Sequence, residues 1–389
     1  MKLAGRVSDI SESVTLEIGS RAKKMAKEGI DVVSLAAGEP DFDTPEHIKQ
    51  AAIKAINEGF TKYTPSSGMV ELRQAISRKF KKDNGLDYTP EQIVVSNGAK
   101  HSINNIFQAL CEEGDEVLIP APYWLSYPAM VNMAEATPVF VPTIKENNFK
   151  LTEKDLESKI TKKTKCLVLN SPSNPTGSVY SRDELNMVAR VAVKHKFFVM
   201  SDEIYEKLIY GNTKHVSIAS LGKEIKDLTI TVNGVSKSYS MTGWRIGYAA
   251  GPIEIMKAIG NLQSHAASNP ASMSQRATLA ALEESQDCVD KMRVEFAKRR
   301  DMMVQGIEAI PNMSCIRPEG AFYLFCDISK LKMGSVEVAN RLLDEARVAT
   351  IPGEPFGADD FIRLSFATGE EKIKKAILRI KEWTEKIKN

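Results

Sequence analysis

The stretch "KCLVLNSPSNPTGSVYSRDELNMVARVAVKHKFFVMSDE", residues 165–203, decides how the rest of the chain is read. Its two apolar runs, "KCLVLNSP" (165–172) and "FFVMSDE" (197–203), read as buried strands. Between them "SRDELNMVARVAVKH" (181–195) has helical spacing and opens on Ser181 with Glu184 three residues later, a capping box. Strand, helix, strand in that order implies a parallel pair joined by a crossover.

The same alternation extends on both sides. "QIVVSNG" (92–98) reads as a strand feeding a helix over 99–114, and "DEVLIP" (115–120) as the next strand. Thr152 and Asp155 stand at capping spacing, while "LTITVNG" (228–234) and "RIGYAAG" (245–251) complete the series. The expectation is an α/β fold whose mostly parallel sheet is covered by helices on both faces. Ligands of such sheets bind beyond the carboxyl ends of the strands. Here Gly98, Asn174, Asp202 and Lys237 follow the strands.

After about residue 290 the pattern changes. A long charged helix ("DKMRVEFAKRRDMMVQGIEAI", 290–310) leads into "GAFYLFCDI", a helix near 335–346, strands "VATIPG" and "FIRLSFA", and a final helix. Residues 291–389 therefore read as a smaller α+β domain, and 46–290 as the large one. The segment 1–45, ending in the proline-bearing stretch at 40–45, is expected to pack with the small domain.

Composition narrows the function class. Lys+Arg total 52 and Asp+Glu 50 in 389 residues, a net charge of +2 that gives no electrostatic reason to expect nucleic acid or an anionic membrane. No apolar run reaches the roughly 20 residues of a membrane helix, and the opening residues show no secretory h-region. The five cysteines are dispersed and never form a CxxC pair, as expected of reduced thiols in a cytoplasmic enzyme. GxGxxG, GxxxxGK[ST] and GxSxG are absent, and the five histidines show no HxxxH, so no metal site is expected. "SRAK" (20–23) matches SxxK but reads as a solvated helix face.

What remains is "NGVSKSYSMTGWRIGY" (233–248), where Lys237 sits among small and hydroxyl residues with Arg245 eight positions on. Most mid-chain lysines are surface decoration; this one is placed to react as an amine, which calls for a carbonyl partner. Pyridoxal 5'-phosphate offers an aldehyde, a phosphate and a basic ring nitrogen. Arg245, Ser236 and the helix start at Gly98, Ala99 and Lys100 suit the phosphate. Asp202 suits the ring nitrogen, Asn174 and Tyr205 the ring hydroxyl, and Trp124 in "APYWLSY" a flat lid.

The chain resembles the class I pyridoxal-phosphate aminotransferases. "GVSKSYSMTGWRIG" matches their lysine-attachment signature, and the resemblance continues through "AAGEPDFDTP", "KYTPSSGMVELRQAI", "SNGAKHSI", "NSPSNPTG", "SDEIYE", "GAFY" and "IRLSFAT". It is strongest with the prokaryotic-type aspartate aminotransferase branch. The resemblance implies the type I fold of pyridoxal-phosphate-dependent transferases and a homodimer with shared active sites. It implies that Lys237 carries the cofactor and then moves the substrate's Cα proton as general base. Asp202, Asn174, Tyr205 and Trp124 match the ring-binding residues, and Arg245, Gly98 and Ala99 the phosphate site. Tyr63 matches a tyrosine reaching the neighbouring subunit's phosphate. Arg363 matches the grip on the α-carboxylate, with Gly38 offering an amide nearby.

Lys100 occupies the position at which the acidic-substrate branch carries a lysine for the side-chain carboxylate. A lysine at a helix start is disfavoured by the dipole, which suggests that it answers to an anion; the other reading is a phosphate ligand. The resemblance adds a serine from across the dimer, Ser264 or Ser268 in "LQSHAASNP" (262–270), and no arginine pair in residues 6–24 speaks for prephenate. The expected reaction moves the amino group between L-aspartate and 2-oxoglutarate. An aromatic or prephenate aminotransferase is the alternative. A carbon–sulfur lyase shares the fold and would release ammonia and pyruvate; a sensor-type regulator would need a DNA-binding module for which the motifs leave no room.

Overall fold

The structure, a computed structural model, describes residues 14–387. The capping box forms as the sequence predicts: Ser181 N–H donates to Glu184 Oε2 at 2.6 Å and Glu184 N–H to Ser181 Oγ at 3.4 Å. It starts the helix Arg182–His195, whose Leu185, Val188 and Ala192 face the sheet.

The strands in chain order are β1 (Val33–Ser34), β2 (Ile93–Ser96), β3 (Glu116–Ala121), β4 (Thr137–Pro142) and β5 (Thr164–Asn170). They continue with β6 (Phe198–Asp202), β7 (Thr229–Gly234), β8 (Gly247–Ala250), β9 (Ser314–Cys315) and β10 (Tyr323–Asp327). The last are β11 (Val348–Ala349), β12 (Ile351–Pro352) and β13 (Phe361–Ser365). Seven of them form one sheet in the order β2-β8-β7-β6-β5-β3-β4. It is parallel from β7 to β4, and β8 runs antiparallel to both neighbours. Along β5, Cys166 and Val168 enter one core while Leu167 and Leu169 enter the core on the other face. That two-sided burial is why these strands read as unbroken apolar runs.

The smaller sheet is antiparallel, in the order β12-β13-β10-β9, and β1 pairs parallel with β11. Phe296, Phe322, Phe366 and Trp383 fill the core beneath it. The helix Val14–Lys27 packs here too: Ile18 and Ala22 share a cluster with Ala339 and Leu343, and Arg21 donates to Asn340 Oδ1 at 2.7 Å.

Two expectations about strands need correction, and one strand was not expected at all. "VATIPG" is two strands: Val348–Ala349 joins β1 and Ile351–Pro352 joins β13, so the chain changes sheets at Thr350. "RIGYAAG" begins its strand at Gly247, because Arg245 has left-handed backbone at φ 57°. "TPVFVP" (137–142) is an edge strand that the sequence hid: only Val141 is buried, Thr137, Phe140 and Pro142 are exposed, and two prolines interrupt the pattern.

Candidate active site

The carboxyl ends of β5, β6 and β7, the start of the helix Ala99–Leu110, and segments 34–39 and 363 enclose a cavity of about 620 Å³. Gly38, Ala99, Lys100, Trp124, Asn174 and Asp202 line it, as do Tyr205, Ser236, Lys237, Arg245 and Arg363. The strand-end rule is the physical reason: parallel strands deliver their last residues to one edge, from which the turns diverge.

Asp202 ends β6 and is only 4% exposed. Burial pushes its carboxyl up to about 6; the Tyr127 hydroxyl, donating at 2.7 Å, and the Ile204 N–H at 3.2 Å oppose that rise by favouring the charged form. Asn170 holds the neighbouring turn to this strand end, donating to Asp202 O at 3.0 Å and accepting from Asn174 N–H at 2.8 Å. A carboxyl raised from 3.8 to about 6 in the folded chain costs folding free energy as pH rises through that window. The cost is roughly 3 kcal/mol once the pH is above both values. Asp202→Asn should therefore raise the thermal midpoint of the cofactor-free protein at pH 8 and leave it unchanged at pH 3.5. Equal midpoints at both pH values, measured by calorimetry, would contradict this.

Lys237 follows β7, and its ammonium donates to Gly38 O at 2.5 Å. Burial lowers its pKa to about 8, although Glu39 nearby partly restores the charged form. Glu39 is held by Thr242 Oγ1 at 2.7 Å. The guanidinium of Arg245 donates to Thr242 O at 2.7 Å and Asn97 O at 3.3 Å, both neutral carbonyls. Gly98 is required beside it: at φ +88°, an added Cβ would lie 2.2 Å from Arg245 Nη2. Left-handed backbone at Arg245, which costs roughly 1 kcal/mol, brings that cation to the helix start at Ala99. A cation with no acid partner among the described residues, a helix N-terminus and Ser236 together make an anion site.

Arg363 in β13 is 3% exposed and, among the described residues, has no carboxylate partner. It donates to Asn174 Oδ1 at 2.9 Å and Ala36 O at 3.2 Å, and its Nε is buried without any partner. Its plane lies over the Tyr323 ring, 4.3 Å from the centroid. Tyr323 in turn shares a 2.9 Å hydrogen bond with the Tyr205 hydroxyl. A buried guanidinium completed only by neutral groups is built for an anion from the cavity.

Lys100 makes no ion pair with a described residue; its ammonium lies 4.9 Å from the centre of the Trp124 ring, and burial and then Arg245 lower its pKa. The sequence missed Tyr127 and Tyr323; the signal available was only their place in "APYWLSY" and "GAFY". "SRAK" is only partly the solvated face expected: Ser20 and Lys23 are exposed, Arg21 is half-buried and Ala22 is buried, and Ser20, Ala22 and Lys23 line the cavity. Tyr63, 89% exposed, and the exposed Ser264 and Ser268 lie outside the cavity lining. Glu203, Glu206 and His215 are within metal-binding distance of one another, but Lys79 and Asn84 already occupy the two oxygens of Glu206, and Ser201 and Ser217 donate to Glu203 Oε1.

The family model for aminotransferase class I and II matches residues 30–380. An aspartate aminotransferase of Geobacillus stearothermophilus is 49% identical, over 99% of this chain and 99% of the relative. A probable aspartate/prephenate aminotransferase of Aquifex aeolicus is 48% identical over 99% of both. The solved Thermus thermophilus aspartate aminotransferase with maleate superposes with a TM-score of 0.95 at 43% identity, covering 98% of this chain and 99% of that one.

Proposed function

The chain belongs to the class I and II aminotransferase family, and we propose that it is an aspartate aminotransferase that uses pyridoxal 5'-phosphate. The observation that carries the reading is the pair of cavity-lining cations, Arg363 and Lys100, that meet no acid among the described residues. A dicarboxylic amino acid places its α-carboxylate on the first and its side-chain carboxylate on the second. The names of the relatives and the maleate in a similar structure agree with two carboxylates.

The residues fit the cofactor. Arg245, Ser236 and the helix start at Ala99 would take the phosphate, Asp202 the ring nitrogen, Asn174 and Tyr205 the ring oxygen, and Trp124 a ring face, all of them lining the cavity. When bound, pyridoxal phosphate supplies an aldehyde for attachment and a ring that accepts the electron pair of the broken Cα–H bond. Asp202, kept ionised by Tyr127, holds a proton on the ring nitrogen and so favours that acceptance. Lys237, with its amine lowered to about 8, would take the Cα proton and deliver it to the carbon that was the cofactor's aldehyde. Arg363 and Lys100 orient the substrate so that this bond faces Lys237. Tyr63 and Ser264 or Ser268 serve the cavity of a second copy in a homodimer; their full exposure leaves them available to it.

The test is a single-turnover half-reaction: loss of the bound cofactor's visible absorbance on mixing with L-aspartate, L-phenylalanine or arogenate. Aspartate alone should react fast. Fast phenylalanine with slow aspartate would overturn the substrate and leave Lys100 a phosphate ligand.

A further inference from the structure

Two buried acids stand one residue beyond two cavity residues: Glu203 follows Asp202 and Glu206 follows Tyr205. The turn leaving β6 is closed by Glu206 N–H to Glu203 O at 2.9 Å and Leu208 N–H to Tyr205 O at 2.8 Å. Asp202 and Tyr205 line the cavity, whereas Glu203 and Glu206, 1% and 5% exposed, lie outside its lining.

Behind the turn, every carboxylate oxygen is claimed. Glu203 Oε1 accepts from Ser201 at 2.9 Å and Ser217 at 2.7 Å, and its Oε2 meets His215 Nε2 at 2.9 Å. Glu206 Oε2 accepts from Asn84 at 2.7 Å and its other oxygen pairs with Lys79. Lys79 also donates to Asn84 Oδ1 at 2.7 Å, and Lys207 pairs with Asp83 at 2.8 Å on the rim. These partners come from the helix Val70–Asn84 and from the loop carrying His215 and Ser217. Burying two carboxylates three residues apart is no economical route to stability, since an apolar core of the same volume serves as well or better. What such a network does supply is one fixed geometry.

We propose that Glu203 and Glu206, clamped by His215, Ser217, Asn84 and Lys79, are positioning residues that aim Asp202 and Tyr205 at the ring of the bound cofactor. The clamp acts on the ring-binding face without touching ligand. Glu203 also contributes directly to the field on its neighbour, its charge adding to the burial that raises Asp202. The proposal rests on the reading of the cavity as a pyridoxal-phosphate site.

The experiment measures binding of pyridoxal 5'-phosphate to the cofactor-free protein by tryptophan fluorescence, and then the pH midpoint of the bound cofactor's absorbance. The variants are Glu203→Gln and Glu206→Gln, with Lys145→Met as control; it breaks a 2.6 Å ion pair to Asp327 outside the cavity. Affinity is expected to fall roughly tenfold, the scale of lost outer-shell support, and the Glu203→Gln midpoint to move, with neither change in Lys145→Met. Should Glu203→Gln fail to fold, Ser217→Ala removes one hydrogen bond and gives the same readouts at smaller size. Unchanged affinity and midpoint beside a lowered melting temperature make the cluster mere packing and overturn the proposal. Wild-type protein that binds no pyridoxal phosphate overturns the underlying reading instead.

Discussion

Replacing Lys237 by alanine is expected to slow the aspartate half-reaction by about 10⁴-fold or more, the upper range for a positioned general base. The cofactor should still bind, because its phosphate and ring groups are held elsewhere, at Arg245, Ser236 and Asp202. Small primary amines added to the variant should restore part of the rate, since the lost group is an amine and the space it filled is open. In the wild type, borohydride trapping of pyridoxal phosphate on the cofactor-free protein should rise through pH 8. That is the pH to which burial brings Lys237, well below the ordinary 10.5. A variant within tenfold of wild type would remove Lys237 from the chemistry.

Arg363→Leu should show two effects of opposite sign. Without substrate the protein should become more stable, because a buried guanidinium whose Nε and charge find no acid partner among the described residues is replaced by an apolar side chain of similar volume. With substrate, kcat/KM for aspartate should fall about 10³-fold, corresponding to roughly 4 kcal/mol for a desolvated charge pair. Arg363→Lys should recover only part of that, since an ammonium lacks the planar fork. Calorimetry and steady-state kinetics on the same preparations read both signs. Loss of stability together with preserved kcat/KM would make Arg363 a structural cation.

Much of this was legible because parallel strands leave two marks on a sequence. Their cores are apolar on both faces, as Cys166 to Leu169 show, and their ends collect unusual polar residues, as at Asn174, Asp202 and Lys237. Edge strands leave neither mark, which is why Thr137–Pro142 was missed. The turn of the chain between sheets at Thr350 was equally hidden, because pairing partners lie far away in sequence. Tyr127 was invisible for another reason. Its role is a single hydrogen bond to Asp202, and a buried tyrosine beside Trp124 looks the same in sequence whether or not it makes one.

The parallel pairing of β1 with β11 has a consequence for the order in which the molecule comes into being. Arg21 and its partner Asn340 are 319 positions apart, and Val33 must likewise wait for Val348. Synthesis runs from the first residue onward at about 5–20 residues per second, so the early strand stays unpartnered until nearly the whole chain has emerged. The seven-stranded sheet, by contrast, is complete at Ala250. Every group assigned to phosphate and ring is made by residue 245, while the arginine for the α-carboxylate lies in the last strand of the chain. On the function proposed above, a growing chain acquires its cofactor-binding residues before its carboxylate-binding arginine, and a ligand bound early would stabilise the nascent sheet before turnover is possible.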